Sequence, residues 1–127
     1  MKKVQCIVVD DEAHIRTYLR SVLQRVGLDV VGEAANGDEG LALVEKMLPD
    51  LVMMDVNMPI RNGDEVISEM KEKFPLVRIA MLTSVADMGT ISKCIEAGAD
   101  DYIRKDTPYS ELKEAILQIV ADMGEKP

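Results

Sequence analysis

Asp10-Asp11-Glu12 ends one apolar run, and Asp55 ends another, Leu51-Val52-Met53-Met54. If those runs are neighbouring strands, the carboxylates meet at one sheet edge. Like charges held together are costly unless a cation joins them. A hard divalent ion answers that need, and a small ligand set with retained waters favours Mg²⁺ over Ca²⁺. Two further polar sites break apolar patterns where apolar residues would pack better: Thr83-Ser84 after Met81-Leu82, and Lys105 after Tyr102-Ile103. Taken singly, each has an ordinary reading. Asp11 or Glu12 would cap a helix, Thr83 would do the same, and Lys105 would be a solvated charge. Together they form a metal-holding acid pair, a nucleophilic carboxylate, a hydroxyl and a cation. That set suits transfer of a phosphoryl group onto Asp55, a reaction that needs mainly positioning and neutralised oxygen charge.

The elements that must carry these residues are legible as two alternating patterns. Val4-Gln5-Cys6-Ile7-Val8-Val9, Leu51-Val52-Met53-Met54 and Val77-Arg78-Ile79-Ala80-Met81-Leu82 are short apolar runs. Helical spacing joins Ile15, Leu19, Val22, Leu23 and Val26, then Leu41, Val44, Met47 and Leu48, then Ile67, Met70 and Phe74. Ile91, Cys94 and Ile95 suggest a fourth helix, and Leu112, Ala115, Ile116, Ile119, Val120 and Met123 give the cleanest stripe. Strands alternating with helices predict an α/β fold with a five-stranded parallel sheet and helices on both faces. The first, third and fourth strands are nearly continuous apolar runs, as interior strands are. Those around Leu28-Asp29-Val30-Val31-Gly32-Glu33 and Asp101-Tyr102-Ile103-Arg104-Lys105 carry charge and read as edges. Edges at the second and fifth positions fit the flavodoxin-like order 2-1-3-4-5. A ligand belongs where the topology reverses, between strands 1 and 3. Asn36-Gly37-Asp38-Glu39 and Asn62-Gly63-Asp64-Glu65 echo one another, each before a helix with Pro49 or Pro75 following. They read as two strand-to-helix turns, with Gly for backbone freedom and acids at the positive helix end, rather than as duplication.

Composition sets the outer limits. The 127 residues carry 15 basic and 23 acidic side chains, a net charge of −8, and 47% are apolar, which predicts one globular domain over 1–127. Aromatic residues are 3% with no Trp, so aliphatic side chains and nine Met fill the core. The acid excess argues against nucleic-acid binding. No apolar run approaches the ~20 residues of a membrane span. Cys6 and Cys94 sit in apolar patterns rather than ligand spacings, which fits a reduced cytoplasm. The tail Gly124-Glu125-Lys126-Pro127 reads as frayed.

Four segments in order carry a more specific likeness: Val8-Val9-Asp10-Asp11-Glu12, Met54-Asp55-Val56-Asn57-Met58-Pro59 with Gly63, Leu82-Thr83-Ser84, and Ala97-Gly98-Ala99-Asp100-Asp101-Tyr102 running to Lys105. Over essentially its whole length the chain resembles the receiver domain of two-component response regulators, of stand-alone chemotaxis type. The resemblance implies that Asp55 is the phosphoacceptor. It makes Asp11, Asp55 and the backbone carbonyl of Asn57 ligands of Mg²⁺, with Asp10 reaching the ion through water. Thr83 and Lys105 become partners of the phosphoryl oxygens, and Tyr102 an aromatic switch. It implies a sensor histidine kinase as donor, an output protein on the face of helix 4, strand 5 and helix 5, and a monomer or weak phosphorylation-promoted dimer. The activity is then a signalling switch with intrinsic self-phosphorylation and self-dephosphorylation rather than an enzyme in the ordinary sense. One departure matters: many receivers have Pro directly after the lysine, and Asp106 stands here, as in receivers joined to LuxR-type DNA-binding domains.

Rival motifs fail on particular residues. Asp55-Val56-Asn57 starts like an EF-hand loop, but Pro59 and Ile60 occupy its turn and Val66 its closing acid position. A haloacid-dehalogenase-type phosphatase wants a second acid where Asn57 stands. A nucleotide-binding flavodoxin relative wants a glycine-rich phosphate loop. His14, the sole histidine, reads as a helix-surface residue rather than a phosphocarrier. Besides the switch, two expectations stay open: a phosphorelay intermediate feeding a histidine phosphotransfer protein, and the N-terminal module of a transcription factor.

Overall fold

In the computed structural model, which describes residues 3–57, 63–84 and 88–124, the two alternating patterns become strands and helices in strict succession. In chain order these are β1 (Gln5–Val9), α1 (Ala13–Arg25), β2 (Asp29–Ala34), α2 (Gly37–Met47), β3 (Leu51–Asp55), α3 (Gly63–Lys73), β4 (Arg78–Thr83), α4 (Met88–Ala97), β5 (Asp101–Arg104) and α5 (Tyr109–Gly124). The sheet is parallel, with order β2-β1-β3-β4-β5. The charged strands are therefore the edges, as their composition predicts. Met58, Pro59, Asn62, Val85 and the last three residues lie outside the described residues.

Side chains alternate across a strand, and that alternation divides the interior into two cores. Ile7, Val9, Val52, Met54, Ile79 and Met81 pack under α2, α3 and α4. Cys6, Val8, Leu51, Met53, Ala80, Leu82 and Ile103 face the opposite way, onto Leu19, Val22 and Leu23 of α1 and Leu112, Ile116 and Ile119 of α5. Because β1, β3 and β4 are covered on both faces, their C-terminal ends are held rigidly side by side. Asp55 ends β3, Thr83 ends β4, and Asp10 follows β1.

The turn glycines serve another purpose than the one expected. Neither Gly37 nor Gly63 has a left-handed backbone; among the described glycines only Gly27 and Gly98 do. What matters is the missing Cβ. At Gly63 it would sit 2.9 Å from the Val56 Cα and 3.0 Å from its carbonyl oxygen, and at Gly37 it would sit 2.6 Å from a Val66 methyl. Gly63 thus lets α3 start against the backbone just beyond Asp55. The acids do cap as expected at α2. The Asn36 side chain accepts from the Glu39 N–H at 3.0 Å while the Glu39 carboxylate accepts from the Ala35 N–H at 3.1 Å.

Cys6 and Cys94 are both fully buried. Burial, reinforced by the charge of Asp29, pushes the Cys6 thiol up to about 12, and burial likewise raises Cys94. The thiolate is the reactive form. Both cysteines are therefore expected to resist iodoacetamide at pH 8 in the folded protein and to react fully in denaturant. Intact mass checks it, and native-state alkylation at either would contradict the burial described.

Candidate functional site

The expected residues converge at one rim of the sheet. Asp10 is completely buried and Asp55 nearly so, while Asp11 is exposed. Each of the three offers a carboxylate oxygen, and these oxygens lie within 4.8 Å of one another. Lys105 reaches into the same space from just past β5. Its Nζ donates to Asp55 Oδ2 at 3.0 Å and forms an ion pair with Asp10 Oδ2 at 2.9 Å. Glu12 Oε1 stands 3.5 Å from the same nitrogen, a partner the sequence did not single out. The other Asp55 oxygen, Oδ1, accepts the Asn57 N–H at 2.9 Å, and Asp10 Oδ1 accepts the Glu12 N–H at 2.9 Å. The Asp11 carboxylate has no partner among the described residues.

Lys105 achieves this across a trans bond to Asp106. Two local contacts aim it. Its own N–H donates to the Thr83 carbonyl at 2.8 Å, continuing the ladder one residue past β5. On its other side Asp106 receives both forks of Arg104, at 3.0 and 2.9 Å, which turns the flanking charge outward. The side chain of Lys105 is then 13% exposed, against 46% for Arg104.

The electrostatics are those of a site one cation short. Burial pushes the Asp55 carboxyl up, the Asn57 N–H and Lys105 ammonium pull it back only in part, and Asp10 adds to the rise. Burial pulls Lys105 down, but Asp10 and Asp55 outweigh it and leave its pKa above the usual lysine value. One ammonium serves three carboxylates, those of Asp10, Asp55 and Glu12. Asp10 Oδ2, although paired in charge with Lys105, has no aligned hydrogen bond. An all-oxygen donor set of this kind fits a hard divalent ion such as Mg²⁺.

Thr83 is buried at the end of β4 and pairs in register with Arg104. Tyr102 pairs with Met81, so Thr83 and Tyr102 belong to the same face of the sheet on adjacent strands. Tyr102 is 48% exposed at the sheet edge, whereas Ile103 beside it points into the α1–α5 core. Asp101, on the same face as Ile103, is already engaged: Arg78 forks onto it at 2.9 and 3.1 Å. His14 is three-quarters exposed, 3.6 Å from Glu12, as a helix-surface residue should be.

A family model described as the response regulator receiver domain matches residues 6–117. The chain belongs to that family. It is 38% identical over 119 residues to the chemotaxis protein CheY of Halobacterium salinarum, covering 94% of this chain and 95% of that protein. It is 34% identical over 117 residues to the transcriptional regulatory protein LnrK of Bacillus subtilis, covering 91% of this chain but 53% of LnrK. The receiver therefore spans about half of the longer regulators it matches and nearly all of the CheY proteins. Among solved structures, a CheY-like response regulator receiver domain protein from Methanospirillum hungatei superposes with a TM-score of 0.91 at 26% identity, covering 99% of this chain and all of that one. A LuxR-family two-component regulator from Aurantimonas does so at 0.86 with 32% identity, covering 95% and 87%. Receivers as a family are signalling switches that take phosphate from sensor histidine kinases and generally bind Mg²⁺. Among the described residues of this receiver no helix is long and apolar enough to cross a membrane.

Proposed function

We propose that this receiver is phosphorylated on Asp55 and works as a phosphorylation-dependent switch in a cytoplasmic signalling pathway. The observation that carries the reading is the position of Asp55. It is buried at a strand end, with each oxygen held by a donor, Lys105 on one and Asn57 on the other, beside two further carboxylates within cation-sharing distance. Asp11, Asp55 and the Asn57 carbonyl would hold Mg²⁺, with Asp10 acting through water. The ion would supply positive charge against the incoming phosphoryl oxygens. An Asp55 oxygen attacks phosphorus; the O–P bond forms as the donor's P–N bond to histidine, or P–O bond in an acyl phosphate, breaks, and the leaving group departs with its electron pair. Lys105, freed from Asp55 Oδ2 as that group becomes an acyl phosphate, remains within reach of the transferred oxygens.

Transmission would run from Thr83 to Tyr102 on the shared sheet face. A phosphoryl group alters the equilibrium only if it interacts differently with two states, and a hydroxyl drawn toward it gains a charge-assisted hydrogen bond in one of them. A shift from 1:99 to 99:1 needs ~5.5 kcal/mol of differential interaction, more than one such bond supplies; Lys105 and the cation must share in it. The output surface would be the α4, β5 and α5 face. Asp101 and Arg104 there are tied to Arg78 and Asp106, leaving Lys93, Tyr102 and Lys113 as the freer contacts. A second reading, the receiver module of a longer transcriptional regulator, is favoured by Lys105-Asp106 and by the half-length match to LnrK.

Beryllofluoride, which imitates the phosphoryl group, tests the switch. With Mg²⁺ it should shift amide NMR signals around Asp55 and on through Tyr102 in the parent. In Thr83→Ala the shifts near Asp55 should persist while most of those around Tyr102 vanish. Equal Tyr102 shifts in both proteins would overturn the relay, and no shift near Asp55 in the parent would overturn the phosphoacceptor.

A further inference from the structure

The acid cluster depends on a loop, Asp10 to Glu12, and an arginine network outside the site grips that loop from behind. The Arg16 Nη1 donates to the backbone carbonyl of Asp10 at 2.6 Å. Its Nε lies 3.3 Å from Glu33 Oε1, and the other Glu33 oxygen lies 2.6 Å from Arg20 Nη2. Glu33 is in β2, in register with Val8, and the Asp10 N–H donates to the Ala34 carbonyl at 3.0 Å. Arg16 is only 20% exposed and Glu33 28%. A charge on an edge strand, which composition explains as protection of that edge, is here the anchor of a guanidinium.

The contact has a consequence for geometry. The Asp10 carbonyl and the Asp11 N–H belong to one planar peptide unit. Fixing the carbonyl therefore fixes the direction in which Asp11 leaves the strand. The helix ladder of α1 begins only with the Glu12 carbonyl, which accepts from Ile15 and Arg16, so it does not hold the Asp10 carbonyl. The Asp11 carboxylate has no partner of its own among the described residues, and backbone orientation is what aims it.

We infer that Arg16, anchored by Glu33, is a positioning residue that sets the Asp10–Asp11 peptide so that Asp11 faces the shared cation site. The inference rests on the reading that the acid cluster binds Mg²⁺. A planar guanidinium suits the task because it reaches the carbonyl and Glu33 at once from one rigid fork; an ammonium is a single point charge.

Simple electrostatics predicts the opposite sign, which makes the test sharp. Arg16 is a cation near a cation site, so removing its charge should tighten Mg²⁺ if repulsion were its role. As a positioning residue its loss should weaken Mg²⁺ by about tenfold, in line with outer partners of metal ligands elsewhere. The measurement is titration with Mg²⁺ alone, at moderate salt and without phosphodonor, followed by the amide signals of Asp11, Glu12, Asp55 and Asn57. Arg16→Gln and Arg16→Lys should both bind more weakly than the parent, with core amides such as Val52 and Ile116 unmoved. If Arg16→Gln does not fold, Arg16→Lys carries the comparison with the charge kept. Equal or tighter Mg²⁺ binding in the folded variant overturns the role of Arg16 while leaving the cation site intact. Absence of Mg²⁺-induced shifts in the parent overturns the cation site and this role together.

Discussion

Incubated with a small acyl phosphate and Mg²⁺, the parent protein is expected to gain one phosphoryl group by intact mass, and Asp55→Asn none. The effect should be all or none because the other acids at the rim are unsuited to attack. Asp10 is wholly buried, with one oxygen on the Glu12 N–H and the other on Lys105. Asp11 is exposed, and among the described residues nothing holds its carboxylate. Asp55 alone is at once buried, fixed at the end of a central strand and open to neutralisation on both oxygens. EDTA should abolish the adduct as well, because the metal offsets charge on the nucleophile and on the incoming oxygens together. A phosphoryl adduct that survives Asp55→Asn, or forms fully in EDTA, would contradict the assignment.

The largest effect on stability is expected at Lys105. Its ammonium is the one cationic side chain found among Asp10, Glu12 and Asp55 in the described residues. Lys105→Met leaves two buried carboxylates facing one another, and removing one partner of a buried ion pair costs about 3–5 kcal/mol. Urea unfolding in EDTA should show a loss of that size. Mg²⁺ should restore part of it, since a ligand that binds only the folded state stabilises that state. The pH dependence follows from the same contacts. The folded pKa of Lys105 lies above its ordinary value, so its stabilisation is fully present below that ordinary value and fades as pH rises through the folded one. The parent should lose stability in the alkaline range and Lys105→Met should lose less. Equal urea midpoints for the two proteins in EDTA would show that Lys105 does not neutralise the pair.

Some of this could be read without coordinates because it depends on periodicity and residue type, which are local. Strands covered on both faces must be apolar throughout, so β1, β3 and β4 announced themselves, and charge marked β2 and β5 as edges. Once the order was set, Asp10, Asp11, Asp55, Thr83 and Lys105 had to share a rim. Local composition is silent about distances between atoms far apart in the chain. It assigned Gly37 and Gly63 to backbone freedom, whereas both are needed because another element passes within van der Waals reach of the absent Cβ. It read Asp101 only as a charge on an edge strand, whereas Arg78, twenty-three residues earlier, holds it. It left open how Lys105 could be aimed with Asp106 after it; the Arg104–Asp106 fork and the Thr83 carbonyl decide that with an ordinary trans bond. Nothing in residue type or spacing links Arg16 of α1 to Glu33 of β2. Only the packing of α1 against β2, with β2 paired to β1, brings them together behind Asp10, because tertiary packing and register, not residue type, determine which side chains meet.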